Sequence, residues 1–423
     1  MAFPLGLRTG RMKGIGDSPV ATIGIAMHRI APVSLRLVCA AFVAAWGIAL
    51  VRGAAAPPEV EEDAAAPERV AVVVRGDEGE RALEGTVVIE AADGAMLLEL
   101  DDQCLELLQA NEIRSRRSVD APSSPATPRE EGKRILAELP EGFDLLVTRH
   151  YVICFDTSRA YAQWCGALFE KLHDAFINYW RKAGVEVEAP RRPLVIVIFS
   201  DRERYEAHAA RDLGAAADRV VGYYNLLTNR VTTFDLTGSD QLARRPATSA
   251  GRAGLEILAS PEAAGLVSTL VHEASHQMAF NCRMHRRLAP VPVWLSEGVA
   301  TFFETPDPGG RGWKRIGGVN RPRLDTFLSS YRPGVLDEIV RGDEPFRATE
   351  GAIDAYARAW ALTAFLAQTR KAALVDYITA IGAKPPLAPD GPEERLQDFV
   401  AAFGVEPHEL EQPLMKFLAR WKD

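Results

Sequence analysis

The chain has 423 residues, of which 47% are hydrophobic and 25% charged, so its composition is that of an ordinary globular protein and excludes a wholly disordered or fibrous chain. Its 49 Lys and Arg residues against 57 Asp and Glu residues give a formal net charge of −8. Residues 1–56 carry six basic residues and one acidic residue, or +5, so the remainder carries −13. Residues 57–423, with this net negative charge, are not expected to have the basic face that phosphate binding requires, so we expect no nucleic-acid partner.

An apolar segment near the N-terminus predicts export. Leu37–Val51 has no charged residue in fifteen positions, follows Arg36 and precedes Ala54-Ala55-Ala56. A basic start, a short apolar segment and an A-x-A site are typical of a secretory signal peptide. The segment is shorter than the ~20 residues that span a bilayer. We therefore predict that residues 1–56 are a signal peptide or N-terminal membrane segment, that the protein is periplasmic, in the cell envelope or secreted, and that it meets a membrane only if this segment stays uncleaved.

An acidic leader and a small β module are predicted for residues 57–117. This segment holds sixteen acidic and six basic residues, and its short apolar runs alternate with turn residues. Asp93-Gly94 between two such runs predicts a hairpin. The module is either a solvated acidic spacer or an adhesion or substrate-presenting unit. Residues 118–132 are rich in Ser, Pro and Ala and are predicted to form a linker.

Residues 133–423 are predicted to form one α+β domain, with a sheet and the metal-binding helices in 133–307 and a helical part in 308–423. The apolar patterns predict strands, helices and a hairpin turning at Thr228-Asn229; the strands are at 149–156 and 193–199, and the helices at 159–183 and 201–213. The four cysteines beyond residue 56 either form one bridge or remain buried thiols, and none has metal-ligand spacing: Cys104, Cys154, Cys165 and Cys282.

A helix with two histidines carries the clearest chemical signal. Ser260-Pro261-Glu262 predicts the start of this helix, and an apolar stripe predicts that it packs into the core: Val267, Val271, Ala274 and Met278. His272 and His276 are four residues apart and so lie about 40° apart around the helix, which aims two imidazoles at one point where zinc could bind. Glu273 is placed to accept a proton from a water at that metal. The alternative is a helix whose histidines only satisfy hydrogen bonds in the core.

Two glutamates on a following helix extend this pattern. A catalytic zinc takes three protein ligands and keeps one position open. Glu297, in the segment WLSEGVATFFE, is the candidate third ligand. Glu304 lies seven residues further, on nearly the same helix face, and could accept the distal N–H of a ligand histidine. The alternative for Glu304 is a solvated helix glutamate.

VHEASHQMAFN followed by WLSEGVATFFE resembles the paired signature of the gluzincin zinc metallopeptidases, in which H-E-x-x-H precedes a glutamate on a second helix. In particular it resembles peptidase MA-like bacterial proteins catalogued as a domain of unknown function, and more distantly aminopeptidase N-like and thermolysin-like enzymes. The resemblance covers about residues 265–304. It implies a gluzincin-like fold, Zn²⁺ as cofactor and a peptide or protein as substrate.

Tyr356 extends the resemblance downstream. Aminopeptidase N-like gluzincins carry a tyrosine some sixty residues after the ligand glutamate, and Tyr356 follows Glu297 by 59 residues. The resemblance implies that Tyr356 stabilises the oxyanion; core packing is the alternative. The chain has no upstream G-x-M-E-N segment, with which those enzymes bind the substrate N-terminus, so exopeptidase specificity does not carry over.

The resulting hypothesis is an exported zinc metallopeptidase that uses zinc-activated water and Glu273 as general base. One alternative is a non-catalytic cell-envelope binding protein on the same scaffold, and another is a zinc hydrolase of a non-peptide amide or ester. The predicted hairpin GYYNLLTNRVTTFDL either offers an edge strand to an extended peptide or only completes the sheet.

Overall fold

The computed structural model describes a protein of mixed α and β structure over residues 68–76, 79–120, 126–238, 264–305, 316–348 and 351–421. The predicted signal segment 1–56 and the predicted helix start at Ser260-Pro261-Glu262 lie outside these ranges. Within them, none of the helices combines the length and the apolar character needed to cross a membrane.

The predicted β module is a five-stranded antiparallel sheet of order β4-β3-β2-β1-β5. Its strands are β1 Arg69–Gly76, β2 Gly79–Glu90, β3 Met96–Leu100, β4 Leu105–Leu108 and β5 Ile113–Ser118. Val70, Val72 and Val74 alternate with more exposed residues along β1 and fill a small core of the module's own. The hairpin predicted at Asp93-Gly94 is confirmed, because this pair lies in the turn between β2 and β3, where Gly94 adopts a φ of 88°.

A second five-stranded sheet, of order β6-β7-β8-β10-β9, begins the larger part of the protein. Its strands are β6 Asp144–Val147, β7 Tyr151–Phe155, β8 Leu194–Phe199, β9 Gly222–Asn225 and β10 Arg230–Phe234. The three central strands are parallel, and the two edge strands run antiparallel to their neighbours. Every residue of β7 and β8 is buried, as expected for parallel strands covered on both faces. The strands and the hairpin predicted in this region are confirmed.

Helices α1 to α4 contact this sheet, and α5 packs on α4: α1 Pro128–Glu138, α2 Arg159–Ala183, α3 Arg202–Leu213, α4 Ala264–Asn281 and α5 Val293–Phe303. The helix predicted over 159–183 has these bounds in the structure. The linker prediction for 118–132 is wrong at its C-terminal end, since α1 already begins at Pro128. Thr127 accepts a hydrogen bond from the Glu130 N–H, and the Glu130 carboxylate accepts one from the Thr127 N–H, so a capping box starts the helix there.

The described chain beyond residue 316 is helical and has no strand, as predicted. Its helices are α6 Arg321–Ser330, α7 Val335–Arg341, α8 Glu344–Arg347, α9 Ala352–Thr369, α10 Lys371–Ala383, α11 Pro392–Phe403 and α12 Glu411–Leu418. Short 3₁₀ helices lie at Gly214–Arg219, Leu236–Gly238, Pro407–Leu410 and Ala419–Trp421. One hydrophobic core runs through the second sheet and the helices on both sides of it. The apolar stripe predicted on α4 is buried in this core.

Gly298 sets the contact between α5 and α9. A Cβ atom on Gly298 would lie 2.0 Å from Thr363 Oγ1 and 3.0 Å from the Ala359 carbonyl oxygen. Because the three residues are buried, the helices would have to move apart to accept even one methyl group. Glycine at this position therefore brings α5, which carries Glu297, close to α9.

We expect Gly298→Ala to lower the free energy of unfolding by about 1–3 kcal/mol, the usual cost of overpacking a core, as measured by urea denaturation. Gly265→Ala on α4 is the matched control, since no atom lies within 4 Å of its Cβ position. A helical Gly→Ala change without a steric cost should stabilise the protein by up to about 1 kcal/mol. Equal stability of Gly298→Ala and the parent would contradict the close helix contact.

Candidate metal centre

The structure brings His272, His276 and Glu297 together between α4 and α5. The two Nε2 atoms are 3.0 Å apart, and Glu297 Oε2 lies 3.1 Å from His272 Nε2 and 3.4 Å from His276 Nε2. All three side chains are buried. One turn of α4 separates the histidines, and Glu297 approaches both from the second helix. The three predicted ligands therefore face one point in the interior.

These three residues fit a zinc ion. Neither carboxylate oxygen of Glu297 accepts a well-directed hydrogen bond among the described residues, although two imidazole nitrogens are close to it. Burial alone would raise the pKa of Glu297, but His276 and His272 hold it at about 2, so this carboxylate is ionised and could also bind a cation at the same point. The distances between the three donor atoms are close to the edge of about 3.3 Å expected for a tetrahedron with zinc–nitrogen bonds of ~2.0–2.1 Å. Two imidazoles and a carboxylate are also a ligand set that zinc prefers.

Glu304 orients the first histidine. Its Oε1 lies 2.9 Å from His272 Nδ1, so an Nδ1–H that donates to it leaves the Nε2 lone pair directed toward Glu297 and His276. Burial alone would raise the pKa of Glu304, but Arg323 and His272 hold it at about 2, so this carboxylate is ionised. Glu304 is buried, and the alternative of a solvated glutamate is therefore wrong.

Arg323 and Asn320, which the sequence analysis missed, hold Glu304 in turn. The Nε and Nη2 atoms of Arg323 donate to the two oxygens of Glu304 at 3.2 and 2.9 Å, and Asn320 Nδ2 donates to Oε2 at 2.8 Å. Asn320 also caps α6 by accepting from the Arg323 N–H. The sequence Asn-Arg-Pro at this position is typical of a helix start, but no pattern in the neighbouring residues indicates that Asn320 contacts Glu304. Ser296 Oγ, 3.3 Å from His276 Nδ1, is a further missed contact.

Glu273 lies beside the three predicted ligands. Its Oε2 accepts a hydrogen bond from the Tyr224 N–H at 2.8 Å, whereas Oε1 is buried and has no hydrogen-bond partner in the described chain. Burial raises the pKa of Glu273 to about 8; the His272 charge opposes this shift and the Glu297 charge adds to it. One oxygen is thus fixed by the backbone, and the other is left for a proton.

Tyr356 also reaches this region, from the first turns of α9. Its ring centroid is 6.4 Å from that of His272 and 5.7 Å from that of Phe346, and Arg323 Cζ lies 5.6 Å from it. Burial and the nearby Glu297 charge hold the pKa of Tyr356 well above its ordinary value. The phenol therefore stays protonated and can donate a hydrogen bond next to the predicted ligands. The tyrosine is buried, so it also contributes to the packing of the core, which was the alternative role for this residue.

Strand β9 forms the edge of the second sheet next to Glu273. Its only strand neighbour among the described residues is β10. Main-chain groups of an antiparallel strand point alternately to the two sides. Because the Tyr224 N–H donates to Glu273, Tyr224 and Gly222 direct their main-chain groups away from β10. This side of β9 is buried against α4, and the Tyr224 N–H there is already bonded to the Glu273 carboxylate, so the alternative in which the strand only completes the sheet fits the structure better.

Two other groups of candidate ligands in the described chain do not form comparable centres. The rings of His150 and His173, near Asp174, are stacked with centroids 3.7 Å apart and an interplanar angle of 12°. Each imidazole binds a metal in its own plane, and two nearly parallel stacked planes cannot share one ion. The remaining group, His408 with Asp337 and Glu406, has partly exposed side chains with ion-pair distances of 3.4–3.5 Å. The four cysteines beyond residue 56 are free thiols, so the structure has no bridge among them.

No curated protein matches the chain. Residues 266–388 match the model of a family described as a protein of unknown function, DUF1570. This segment runs from α4 into the chain beyond α10 and contains every predicted site residue: His272, Glu273, His276, Glu297, Glu304 and Tyr356. The chain is thus similar to a family of undescribed function over the part that carries its candidate metal centre.

Proposed function

We propose that the protein is an exported zinc metallopeptidase of the gluzincin type. The observation that carries this proposal is the convergence of His272, His276 and Glu297 at 3.0–3.4 Å, with a Glu297 carboxylate that lacks a well-directed hydrogen bond. A non-catalytic protein would not need Glu273 and Tyr356 beside this centre as well. These five residues would provide the ligands, the general base and the oxyanion donor of peptide hydrolysis.

In this proposal His272, His276 and Glu297 hold the zinc ion, which when bound supplies the positive charge that activates water and polarises the scissile carbonyl. Glu273 takes the proton of the attacking water on its free Oε1 while Oε2 remains fixed by the Tyr224 N–H, and then passes the proton to the leaving amine. Tyr356, kept protonated by burial, donates a hydrogen bond to the developing oxyanion.

Strand β9 is an edge strand of the second sheet, and the Tyr224 N–H bond to Glu273 places it next to the proposed base. All four residues of β9 are buried and the Tyr224 N–H is already bonded to Glu273, so this strand offers no exposed edge to an extended peptide. A peptide as the substrate class therefore rests on the resemblance to the gluzincin peptidases and not on this strand.

The proposal is tested by incubating the zinc-loaded protein with a diverse peptide library, with and without a chelator. We expect cleavage that the chelator abolishes and that added zinc restores. Zinc binding without cleavage of any peptide would favour the envelope binding protein instead. Hydrolysis of amide or ester substrates with intact peptides would favour the non-peptide hydrolase.

A further inference from the structure

The β module of strands β1–β5 is docked on the larger part of the protein through the turn between β3 and β4. The Leu105 N–H donates to the Leu227 carbonyl at 2.7 Å, which joins β4 to the tip of the β9–β10 hairpin. Arg287 Nη2 lies 3.2 Å from Glu99 on β3, beside this junction. The interpretation of the module as a solvated spacer is therefore incomplete, because the module contacts the hairpin that includes the edge strand β9.

Gln103 is the centre of this junction. It is 5% exposed and adopts a φ of 72°, a left-handed conformation that a non-glycine residue keeps only where its surroundings hold it. Its Nε2 donates to Glu131 Oε1 at 2.8 Å and to the Pro193 carbonyl at 3.1 Å, and its Oε1 accepts from Asn229 Nδ2 at 3.1 Å. Its carbonyl accepts from Arg287 at 2.8 Å. One residue of the module is thus bonded to four separate segments of the larger part.

Asn229, at the end of the hairpin turn, is hydrogen-bonded to Gln103 and also to residues of β9 and α4. It is buried, and its Oδ1 accepts from the Tyr224 hydroxyl at 2.7 Å and from Asn281 Nδ2 at 2.7 Å. Its carbonyl accepts from Gln277 Nε2 at 2.9 Å, and Gln277 follows His276 directly on α4. The Asn229 side chain therefore links Gln103 with the edge strand, and its backbone is bonded to the helix that carries both histidines.

Tyr224 connects Asn229 with the candidate metal centre, because its hydroxyl donates to Asn229 and its N–H donates to Glu273. Moving the hairpin tip would move both ends of this residue. We propose that Gln103 of the β module is a positioning residue that fixes, through Asn229, the position of strand β9 against Glu273. The catalytic consequence of this inference rests on the proposed function, whereas its structural part does not.

The test compares Gln103→Met with the parent in the zinc-loaded full chain. Met keeps the length of the side chain but removes the bond from Gln103 to Glu131 Oε1 and the bond that Gln103 accepts from Asn229 Nδ2. Among the described residues, Asn229 Nδ2 then keeps only its bond to Asn281 Oδ1 at 2.8 Å. By hydrogen exchange we expect the Tyr224 amide to exchange about tenfold faster, while the amides of β7 keep their protection. Zinc content should be unchanged, since the ligands lie on α4 and α5, and kcat for peptides should fall about tenfold with a smaller change in KM.

Gln109→Met is the matched control, because Gln109 belongs to the same module and its side chain makes no hydrogen bond to the described residues; its exchange and kinetics should equal those of the parent. If Gln103→Met fails to fold, the test uses Tyr224→Phe instead, which removes the hydroxyl that donates to Asn229. Unchanged β9 exchange in the folded variants would overturn the inference, and so would faster exchange throughout the sheet, which indicates general destabilisation. Faster β9 exchange in a protein that cleaves no peptide would instead refute only the proposed function.

Discussion

Replacing Glu273 by Gln should leave zinc bound and reduce peptide hydrolysis by about 10²–10⁴-fold, the usual contribution of a general base. Gln has the size of Glu, and its carbonyl oxygen can still accept from the Tyr224 N–H. Its amide nitrogen would replace Oε1, the atom that has no partner in the described chain, and it cannot take a proton from water. The measurement is kcat/KM on a cleaved library peptide beside the zinc content of the same preparation.

Glu411→Gln is the control for this change. Glu411 is also a buried glutamate, but it accepts from the Gly334 and Leu336 N–H groups in the helical part and belongs to no contact of the metal centre. Its replacement should lower stability and leave kcat/KM of the folded protein near that of the parent. A Glu273→Gln protein that cleaves as fast as the parent would show that another group is the base.

Replacing Glu297 by Gln should abolish the stabilisation that zinc gives to the fold. A ligand present at 1,000 times its Kd stabilises the native state by about 4 kcal/mol, so zinc should raise the Tm of the parent by several degrees. The neutral amide of the variant would lack the negative charge that a third ligand supplies beside two neutral imidazoles. Without zinc the same substitution should also lower the Tm, because it removes a buried carboxylate whose Oε2 lies 3.1 Å from His272 Nε2 and 3.4 Å from His276 Nε2.

Thermal unfolding with and without zinc separates these two effects. The Glu411→Gln control should lower Tm in both conditions and keep the zinc-dependent rise. A zinc-dependent rise in Glu297→Gln equal to that of the parent would remove Glu297 from the ligand set. An unchanged Tm of the metal-free variant would show that the two imidazoles do not stabilise the carboxylate.

The elements around the centre were predictable from the sequence because their signals are local. The four-residue spacing of His272 and His276 places both imidazoles on one face of any α-helix, whatever surrounds it. The periodicity of residues 159–183 and the turn at Asp93-Gly94 likewise depend on neighbours in the chain. The start of α1 at Pro128, inside the segment predicted to be a linker, had a local signal too: the capping box of Thr127 and Glu130, which the Ser-, Pro- and Ala-rich composition concealed.

The contacts that orient these elements were not predictable, because they join residues far apart in the chain. Glu304 could be expected to contact a ligand histidine, but its ion pair with Arg323 depends on how α6 packs against α9. Gln103 and Asn229 are 126 positions apart, and only the docking of the module brings them together.

The sequence by itself determined that the two imidazoles share one face of their helix, since helix geometry fixes those directions. Only the tertiary structure decided that Glu297 reaches both histidines, that Tyr356 lies beside them and that the β module holds the edge strand. Packing decides such contacts because they depend on the burial of apolar surface and the pairing of buried polar groups across the whole core, which no short stretch of residues specifies.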